Sequence, residues 1–235
     1  MHSLSHRCKI TGSPGWFNLK TMPAKKKTPK KSAAPEPVAL TVKKPAPLGV
    51  RLRGKAKVIS SKTVYKGKVF YVTADEVQEP GGVHARRDVI RHNGSVVVLA
   101  VDTSRNVKDP DILLIRQYRH AAGKFLLELP AGRIEPGEKL IPAAKRELIE
   151  ETGYRAKKWS HHVRYFASPG FLSEAMNVLL AEDLTLGNAA PEDDEKIEIL
   201  MTPLSEVMRL IHAGKILDGK TLTAVLLFDS LRRAE

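Results

Sequence analysis

The sequence contains little that would cross-link the chain or carry it out of the cytoplasm. Cys8 is the one cysteine among 235 residues, which excludes a disulfide framework and a zinc site built from cysteines. The chain has no run of about 18 apolar residues, as a membrane-spanning helix requires. The first twenty residues also lack the apolar segment of a secretory signal. These absences predict a soluble, cytoplasmic protein without a membrane partner.

Acidic residues are almost absent from residues 1–57, where fourteen Lys and Arg accompany only Glu36. The same stretch holds seven of the fifteen prolines and lysine runs such as Lys25–Lys27. Because this composition buries little apolar surface, we expect residues 1–57 to form a disordered basic tail. The excess charge would attract nucleic acid or another anionic surface loosely. A purely solubilising tail, or translation that really begins at Met22, explains the composition as well.

The remaining residues, 58–235, are balanced in charge, with 25 basic and 25 acidic side chains. The alternating segments Val64–Val77 and Val83–Arg91 predict a small antiparallel sheet, which we take as an N-terminal β subdomain at 58–92. The β-branched runs Ser95–Asp102 and Asp111–Tyr118 predict buried central strands.

Strand and helix patterns continue to the end of the chain. Strands are expected at Phe125–Leu129, Val163–Ala167, Met176–Ala181 and Ile197–Met201, and helices at Lys139–Thr152, Pro203–Ala213 and Thr221–Arg233. The apolar faces expected to pack on a sheet are Ile141, Ala144, Leu148 and Ile149 in the first helix, and Leu222, Val225, Leu226 and Phe228 to Leu231 in the last. The mixture predicts an α+β fold or an α/β sandwich.

Three carboxylates fall on one face of the first predicted helix. Glu147, Glu150 and Glu151 share that face because an α-helix turns by about 100° per residue. Like charges at this spacing destabilise a helix by roughly a few tenths of a kcal/mol per pair, so a counter-charge is expected. Arg146 reaches Glu150 and offsets part of the cluster, whereas a divalent cation would offset more, and Mg²⁺ prefers carboxylate oxygens. Taken alone, these residues also fit a solvated charged face.

The spacing of fixed residues around this helix is a more specific indication of function than the three carboxylates alone. The fixed positions are Gly132, then after five residues Glu138, after seven more Arg146, Glu147 and Leu148, and finally Glu150, Glu151 and Gly153. The segment resembles the Nudix box, the signature of the Nudix hydrolase family, at each of them. The position after the last glycine is normally aliphatic and is Tyr154 here, which is a mild departure.

The likeness extends over about residues 58–233 to the ADP-ribose pyrophosphatase branch of that family. Its markers are Ile115–Arg119, Leu127–Gly132 and Ser168–Phe171, with Pro169 sixteen residues beyond Gly153 and with Glu174 downstream. The resemblance implies an α/β/α sandwich, the Nudix fold, at 93–235. The same markers also occur in enzymes that act on other nucleoside diphosphate sugars.

The resemblance implies a metal-dependent hydrolase. Family members cleave the pyrophosphate of a nucleoside diphosphate linked to a second group and use Mg²⁺ or Mn²⁺, so ADP-ribose would give AMP and ribose 5-phosphate. The metal ligands it implies are Glu147, Glu150, Glu151 and the carbonyl of Ala131, with Glu138 nearby. Arg146 would orient these carboxylates as an ion-pair partner, although a purely structural role is equally compatible with the sequence.

The general base of this branch often lies in an acidic loop that follows the box. Glu192, Asp193, Asp194 and Glu195 occupy such a loop here. We expect Glu195, rather than Glu192, to be the base. A base has to come within hydrogen-bond reach of the attacking water, and the sequence does not show which of the two does. A solvated acidic loop without a catalytic role is the alternative.

Substrate contacts are predicted from charge and from the branch markers. The predicted residues are Arg87, Arg91, Arg116 and Arg119 for phosphate oxygens, Phe70 for the adenine ring, and Glu128, Pro169 and Glu174 from the markers. Each arginine alone also fits an ordinary surface position. Core packing is the alternative for Phe70, and Tyr65 or Tyr71 could stack on adenine in its place.

Three functional alternatives follow from these patterns. The first is an ADP-sugar pyrophosphatase that acts as a homodimer, with the 58–92 sheet at its interface. The second is a pyrophosphatase for GDP-sugars, dinucleotides or oxidised nucleotides. The third is a nucleic-acid-binding protein that acts through the basic tail at 1–57.

Overall fold

The computed structural model describes residues 53–187 and 196–234. The expected disordered tail therefore lies mostly outside the described residues, and its last residue, Lys57, already begins a strand. The strands are β1 Lys57–Lys66, β2 Tyr71–Gln78, β3 His84–Arg91, β4 Ser95–Asp102, β5 Asp111–Arg119, β6 Lys124–Glu128, β7 Ala131–Arg133, β8 Tyr154–Phe166, β9 Ala175–Leu186 and β10 Ile197–Pro203. The helices are α1 Leu140–Thr152, α2 Leu204–His212 and α3 Gly219–Arg232, and a 3-10 turn spans His120–Ala122.

The first three strands form an antiparallel sheet in the order β1-β2-β3, as the alternating segments predict. The turn between β1 and β2 is closed by a hydrogen bond from the Gly67 amide to the Phe70 carbonyl at 2.9 Å. β1 begins seven residues before the predicted segment, and all ten of its residues are exposed. The three-stranded sheet thus has one long edge that no other strand of the described chain covers.

The other seven strands form a mixed sheet in which β4 pairs with β9 in parallel and the remaining pairs are antiparallel. β4 and β5 pair only at Val101–Ile112 and Asp102–Asp111. Beyond that end they diverge, because β4 continues against β7 and β9 while β5 continues against β6 and β10. The divergence makes room for the chain from β6 to β7 between the two central strands.

The core has two layers because successive residues of a strand point to opposite faces. Val97, Leu99 and Val101 of β4 pack with α2 and α3 on one face. Val96, Val98 and Ala100 pack with α1 on the other face. Helices on both faces of one sheet confirm the predicted α/β/α sandwich, and the burial of β4 and β5 confirms them as central strands.

Two of the predicted apolar faces are partly wrong. In α1 the buried apolar residues are Ala143, Ala144 and Leu148, whereas Ile141 lies in the first turn and is 42% exposed. In α3 the buried residues are Thr221, Ala224 and Val225, and the predicted Leu222 and Phe228 also pack against the core, whereas Leu226 and Leu231 are exposed. The predicted positions that the core does not bury, Ile141, Leu226 and Leu231, lie at the rim of the helix–sheet contacts.

Besides β1, the strand β8 is much longer than predicted and β7 was not predicted. β8 begins at Tyr154, well before the predicted start at Val163, and pairs along its length with β9. Its exposed face carries many basic residues, so the apolar alternation is too weak to mark the strand. β7 has three residues and is shorter than any pattern that period-two alternation can reveal. Among residues 53–187 and 196–234, no helix has the length and apolar character needed to span a membrane.

Removal of a core side chain from α1 should destabilise the domain. Leu148 is fully buried, and we expect Leu148→Ala to lower the free energy of unfolding by about 2–5 kcal/mol, since it leaves a cavity between helix and sheet. Ile141→Ala on the same helix is the matched control and should change it by less than about 0.5 kcal/mol. Urea denaturation measures both, and equal losses in the two variants would contradict this packing.

Candidate active site

A cleft of about 660 Å³ opens where β7, the acidic face of α1 and the start of β4 meet. Five carboxylates and four cationic side chains line it together. They are Glu135, Glu147, Glu150, Glu151 and Glu174, and Arg119, Arg133, Arg146 and Lys220. A concave site with this many convergent charged groups is the best candidate for a functional site in the described part of the chain.

The backbone of β7 lies directly against the acidic face of α1. The Ala131 amide donates a hydrogen bond to Glu151 Oε2 at 3.1 Å, and Glu151 is buried. Gly132 approaches even more closely, because a Cβ at this position would lie 2.0 Å from Glu147 Oε1. The glycine that opens the sequence motif is therefore required by contact with a carboxylate of the helix.

Arg146 connects the carboxylates at the mouth of the cleft. Its Nη1 donates to Glu147 Oε1 at 2.8 Å and to Glu150 Oε2 at 3.1 Å, while its Nη2 donates to Glu138 Oε2 at 3.0 Å. These hydrogen bonds, chiefly the one with Glu138, raise the pKa of Arg146. In return, the guanidinium holds the pKa of Glu138 below its usual value. The contacts agree with the predicted role of an orienting ion-pair partner, which stays a prediction.

The donor set fits a hard divalent cation. Carboxylate oxygens from Glu147, Glu150 and Glu151 share the cleft with the backbone of Ala131, and Mg²⁺ and Mn²⁺ prefer such oxygen donors. The fit is one of donor type, because in their present positions no three His, Cys, Asp or Glu side chains of residues 53–187 and 196–234 are gathered around one metal ion. Arg146 Nη1 contacts both Glu147 and Glu150, so a cation bound by these two carboxylates has to replace that contact.

Arg119 and Glu174, two of the predicted substrate contacts, also line the cleft, and their contact with the substrate stays a prediction. Glu174 accepts a hydrogen bond from Ser95 Oγ at 2.6 Å and lies 3.5 Å from His92 Nδ1. Arg119 forms a bidentate pair with Glu128, with 2.9 Å from Nε to Oε1 and 2.7 Å from Nη2 to Oε2.

Glu128 does not fit its predicted role as a substrate contact. The side chain is only 1% exposed and lies behind Arg119 and Lys220, both of which donate to it. Burial opposes its negative charge, yet the hydrogen bonds from Arg119 and the charge of Lys220 keep the pKa of Glu128 below its usual value. The ionised carboxylate of Glu128 therefore holds Arg119 and Lys220 at the cleft, and its own oxygens are not directed at a substrate.

The structure does not bring the other predicted substrate contacts into the cleft of a single chain. Arg87 pairs with Glu79 at 2.9 Å, Arg91 pairs with Asp75, and Arg116 pairs with Glu198 at 2.8 Å. Pro169 lies exposed in the loop between β8 and β9.

Phe70 is 38% exposed and packs against the Tyr65 ring at a centroid distance of 5.7 Å. Its alternative role in the core is therefore wrong. The proposed bases Glu192 and Glu195 lie outside the described residues, and their role stays a prediction.

Sequence reasoning missed several cleft residues, among them Arg133, His92 and Lys220. His92 follows β3 and accepts a hydrogen bond from the Gly94 amide through Nδ1 at 3.1 Å. Lys220 stands in Asp218–Thr221, and an aspartate before a helix is a usual N-cap signal. That signal predicts a helix start and gives no indication that the helix start reaches the cleft.

Comparisons with known proteins agree with this geometry. The chain is 34% identical over 171 residues to the ADP-ribose pyrophosphatase of Bacillus subtilis (strain 168), which covers 72% of this chain and 90% of that protein. It is also 34% identical over 172 residues to the GDP-mannose pyrophosphatase of Escherichia coli O1:K1 / APEC, covering 68% and 85%. A crystal structure of an ADP compounds hydrolase superposes with a TM-score of 0.65 at 24% identity, covers 77% of this chain and 96% of that chain, and supports the fold.

The match to a family model covers most of the segments that line the cleft. A sequence profile of the NUDIX domain matches residues 91–224, more than half of the chain, and includes β4 to β10, α1 and the first turn of α3. The resemblance read from the motif is therefore confirmed, and the chain belongs to the Nudix hydrolase family.

Proposed function

We propose that the chain hydrolyses the pyrophosphate bond of ADP-ribose or a related ADP-sugar and releases AMP and a sugar phosphate. The observation that carries the proposal is the cleft in which Glu147, Glu150 and Glu151 face two cations, Arg119 and Lys220. Such a site pairs donors for a divalent metal with donors for phosphate oxygens, as cleavage of a diphosphate requires. The relative in Bacillus subtilis is named for ADP-ribose.

The residues of the cleft have two kinds of proposed role, metal binding and substrate binding. Glu147, Glu150, Glu151 and the Ala131 carbonyl would hold Mg²⁺ or Mn²⁺, which when bound neutralises phosphate charge and provides a water that is nucleophilic near neutral pH. Arg146 keeps the helix carboxylates oriented through its contacts with Glu138, Glu147 and Glu150. Arg119 donates bidentate hydrogen bonds to the diphosphate, and Glu195 takes the proton of the attacking water.

A second candidate substrate class is a GDP-sugar, because a relative of equal identity is named for GDP-mannose. The sugar-side and base-side contacts differ between these substrates, whereas the diphosphate and its metal are common to both. The choice between them therefore depends on residues outside the acidic helix face.

The substrate is tested by a panel of ADP-ribose, GDP-mannose and a dinucleotide with Mg²⁺ and with Mn²⁺, assayed for released nucleoside monophosphate. We expect ADP-ribose to give the highest kcat/KM and chelation to abolish turnover. Glu150→Gln and Glu151→Gln should each lower kcat by about two orders of magnitude or more, because each removes a proposed metal ligand. Glu206→Gln on the exposed side of α2 is the control. Full activity in both ligand variants would contradict the ligand assignment.

Gly132→Ala should separate stability from activity. The new methyl group meets the end of the flexible Glu147 side chain, which can swing away, so the melting temperature should change little. Displacement of a proposed metal ligand should lower kcat by on the order of tenfold or more and raise the Mn²⁺ concentration needed for half activation. Gly170→Ala, at a glycine with open space around it, should match the parent in both measurements. A fully active Gly132→Ala enzyme would exclude close contact between β7 and Glu147.

We also propose that the enzyme is a homodimer that uses the edge of β1. This strand exposes Val58, Ile59, Val64 and Tyr65, each by more than half, and a long, exposed, apolar edge strand is a typical site for pairing with another chain. A second copy would cover these residues and bring its three-stranded sheet toward the first chain.

Sedimentation at micromolar concentration should therefore give the mass of a dimer. Ile59→Lys should shift the protein toward monomer, because a charge in the interface would lose its water. Val107→Lys, at an exposed residue of the β4–β5 loop, should leave the dimer intact. A monomeric mass for the unaltered protein would argue against the assembly.

A further inference from the structure

The lining of the cleft includes a lysine that lies outside the sequence motif. Lys220 lines the cleft next to Arg119, and its side chain is only 9% exposed. Its Nζ donates to Glu128 Oε2 at 2.5 Å and to Asp218 Oδ1 at 2.9 Å. Arg119 Nη2 ends on the same Glu128 oxygen at 2.7 Å, so the two cationic groups lie side by side.

The start of α3 fixes the position of this lysine. Asp218 caps the helix by accepting hydrogen bonds from the Thr221 amide at 3.0 Å and from Thr221 Oγ1 at 2.6 Å, both through Oδ2. Thr221 Oγ1, fully buried, accepts in turn from the Leu129 amide at 2.8 Å. The segment Asp218–Thr221 is therefore bonded to the chain that leads into β7, two residues before Ala131.

Glu128 has no need of a second cation for its own stability. Arg119 already engages both of its oxygens in a bidentate pair, which is the strongest common form of carboxylate contact. A lysine is almost never this deeply buried without a purpose that offsets its lost hydration. An ammonium group has three donors, and Glu128 and Asp218 account for two of them.

We propose that Lys220 is a diphosphate-binding residue, whose ammonium group contacts a phosphate oxygen of the substrate beside the guanidinium of Arg119. The inference deepens the proposed function and rests on it for the identity of the substrate. Glu128 is the positioning residue that holds both cations, while the acidic face of α1 serves the metal on the other side of the same diphosphate. The cleft thus grips its ligand from two elements far apart in sequence, β5 and α3.

The test uses the full-length protein and inorganic pyrophosphate in the presence of Mg²⁺, so it does not depend on turnover or on the base. Lys220→Met should weaken pyrophosphate binding in calorimetry by about tenfold or more, the usual loss for a hydrogen bond to a charged group. Lys220→Arg should restore much of the affinity because it retains the charge. Lys215→Met, at an exposed lysine of the α2–α3 loop, should bind like the parent.

The kinetic constants and melting temperature distinguish binding from a structural role. Lys220→Met should raise KM for ADP-ribose more than it lowers kcat, with a melting temperature near that of the parent. Pyrophosphate affinity and KM that are unchanged in a folded Lys220→Met protein would overturn the proposal. If Lys220→Met does not fold, reductive methylation of lysines in the parent protein tests the proposal instead. Pyrophosphate should then slow methylation of Lys220 and not of Lys215, and equal rates with and without it would overturn the proposal.

Failure of this inference differs from failure of the proposed function. A parent protein that binds pyrophosphate through Lys220 but leaves ADP-ribose intact rejects the substrate assignment alone. A parent protein that hydrolyses ADP-ribose, together with a folded Lys220→Met variant of unchanged affinity, rejects the role of Lys220 alone.

Discussion

The close approach of the β7 backbone to the acidic face of α1 is the constraint on which the rest of the site depends. The Ala131 amide bonds to Glu151, and Gly132 leaves room for the carboxylate of Glu147. Two rigid elements are thereby held at a fixed separation, with backbone on one side and carboxylates on the other. The divergence of β4 and β5 makes this possible, because only an opened sheet admits β6 and β7 between its central strands.

Electrostatic balance explains why so many acidic side chains tolerate one another here. Arg146 contacts Glu138, Glu147 and Glu150 at once, which offsets the repulsion that the spacing of Glu147 and Glu150 along α1 would cause. Elsewhere in the cleft lining, Arg119 and Lys220 pair with Glu128, and Lys220 also pairs with Asp218. Both groups of charges are therefore compensated by ion pairs within the described chain.

Much of this arrangement is readable from the sequence, because its signals are local. Three carboxylates at helical spacing, a glycine before the helix and buried β-branched runs predict α1, the acidic face and the central strands. The family resemblance adds the sandwich and the expected chemistry. Local patterns miss contacts between residues that are far apart in the chain. Lys220 donates a hydrogen bond to Glu128 across a separation of 92 residues, and no spacing rule predicts that contact. The exposed Ile141 and Leu226 show a similar limit, since periodicity gives a helix face but not how far the sheet extends beneath it.

The hydroxyl of Thr221 connects the first turn of α3 to the Leu129 amide by a hydrogen bond. This bond limits which substitutions the first turn can accept. Substitutions in that turn should shift the backbone that leads into β7, although Thr221 and Leu129 are 92 residues apart in the chain. The outer face of the same helix, with Leu226 and Leu231 exposed, has no such connection. Sequence change should therefore be tolerated along the exposed face of α3 and be harmful in its first turn.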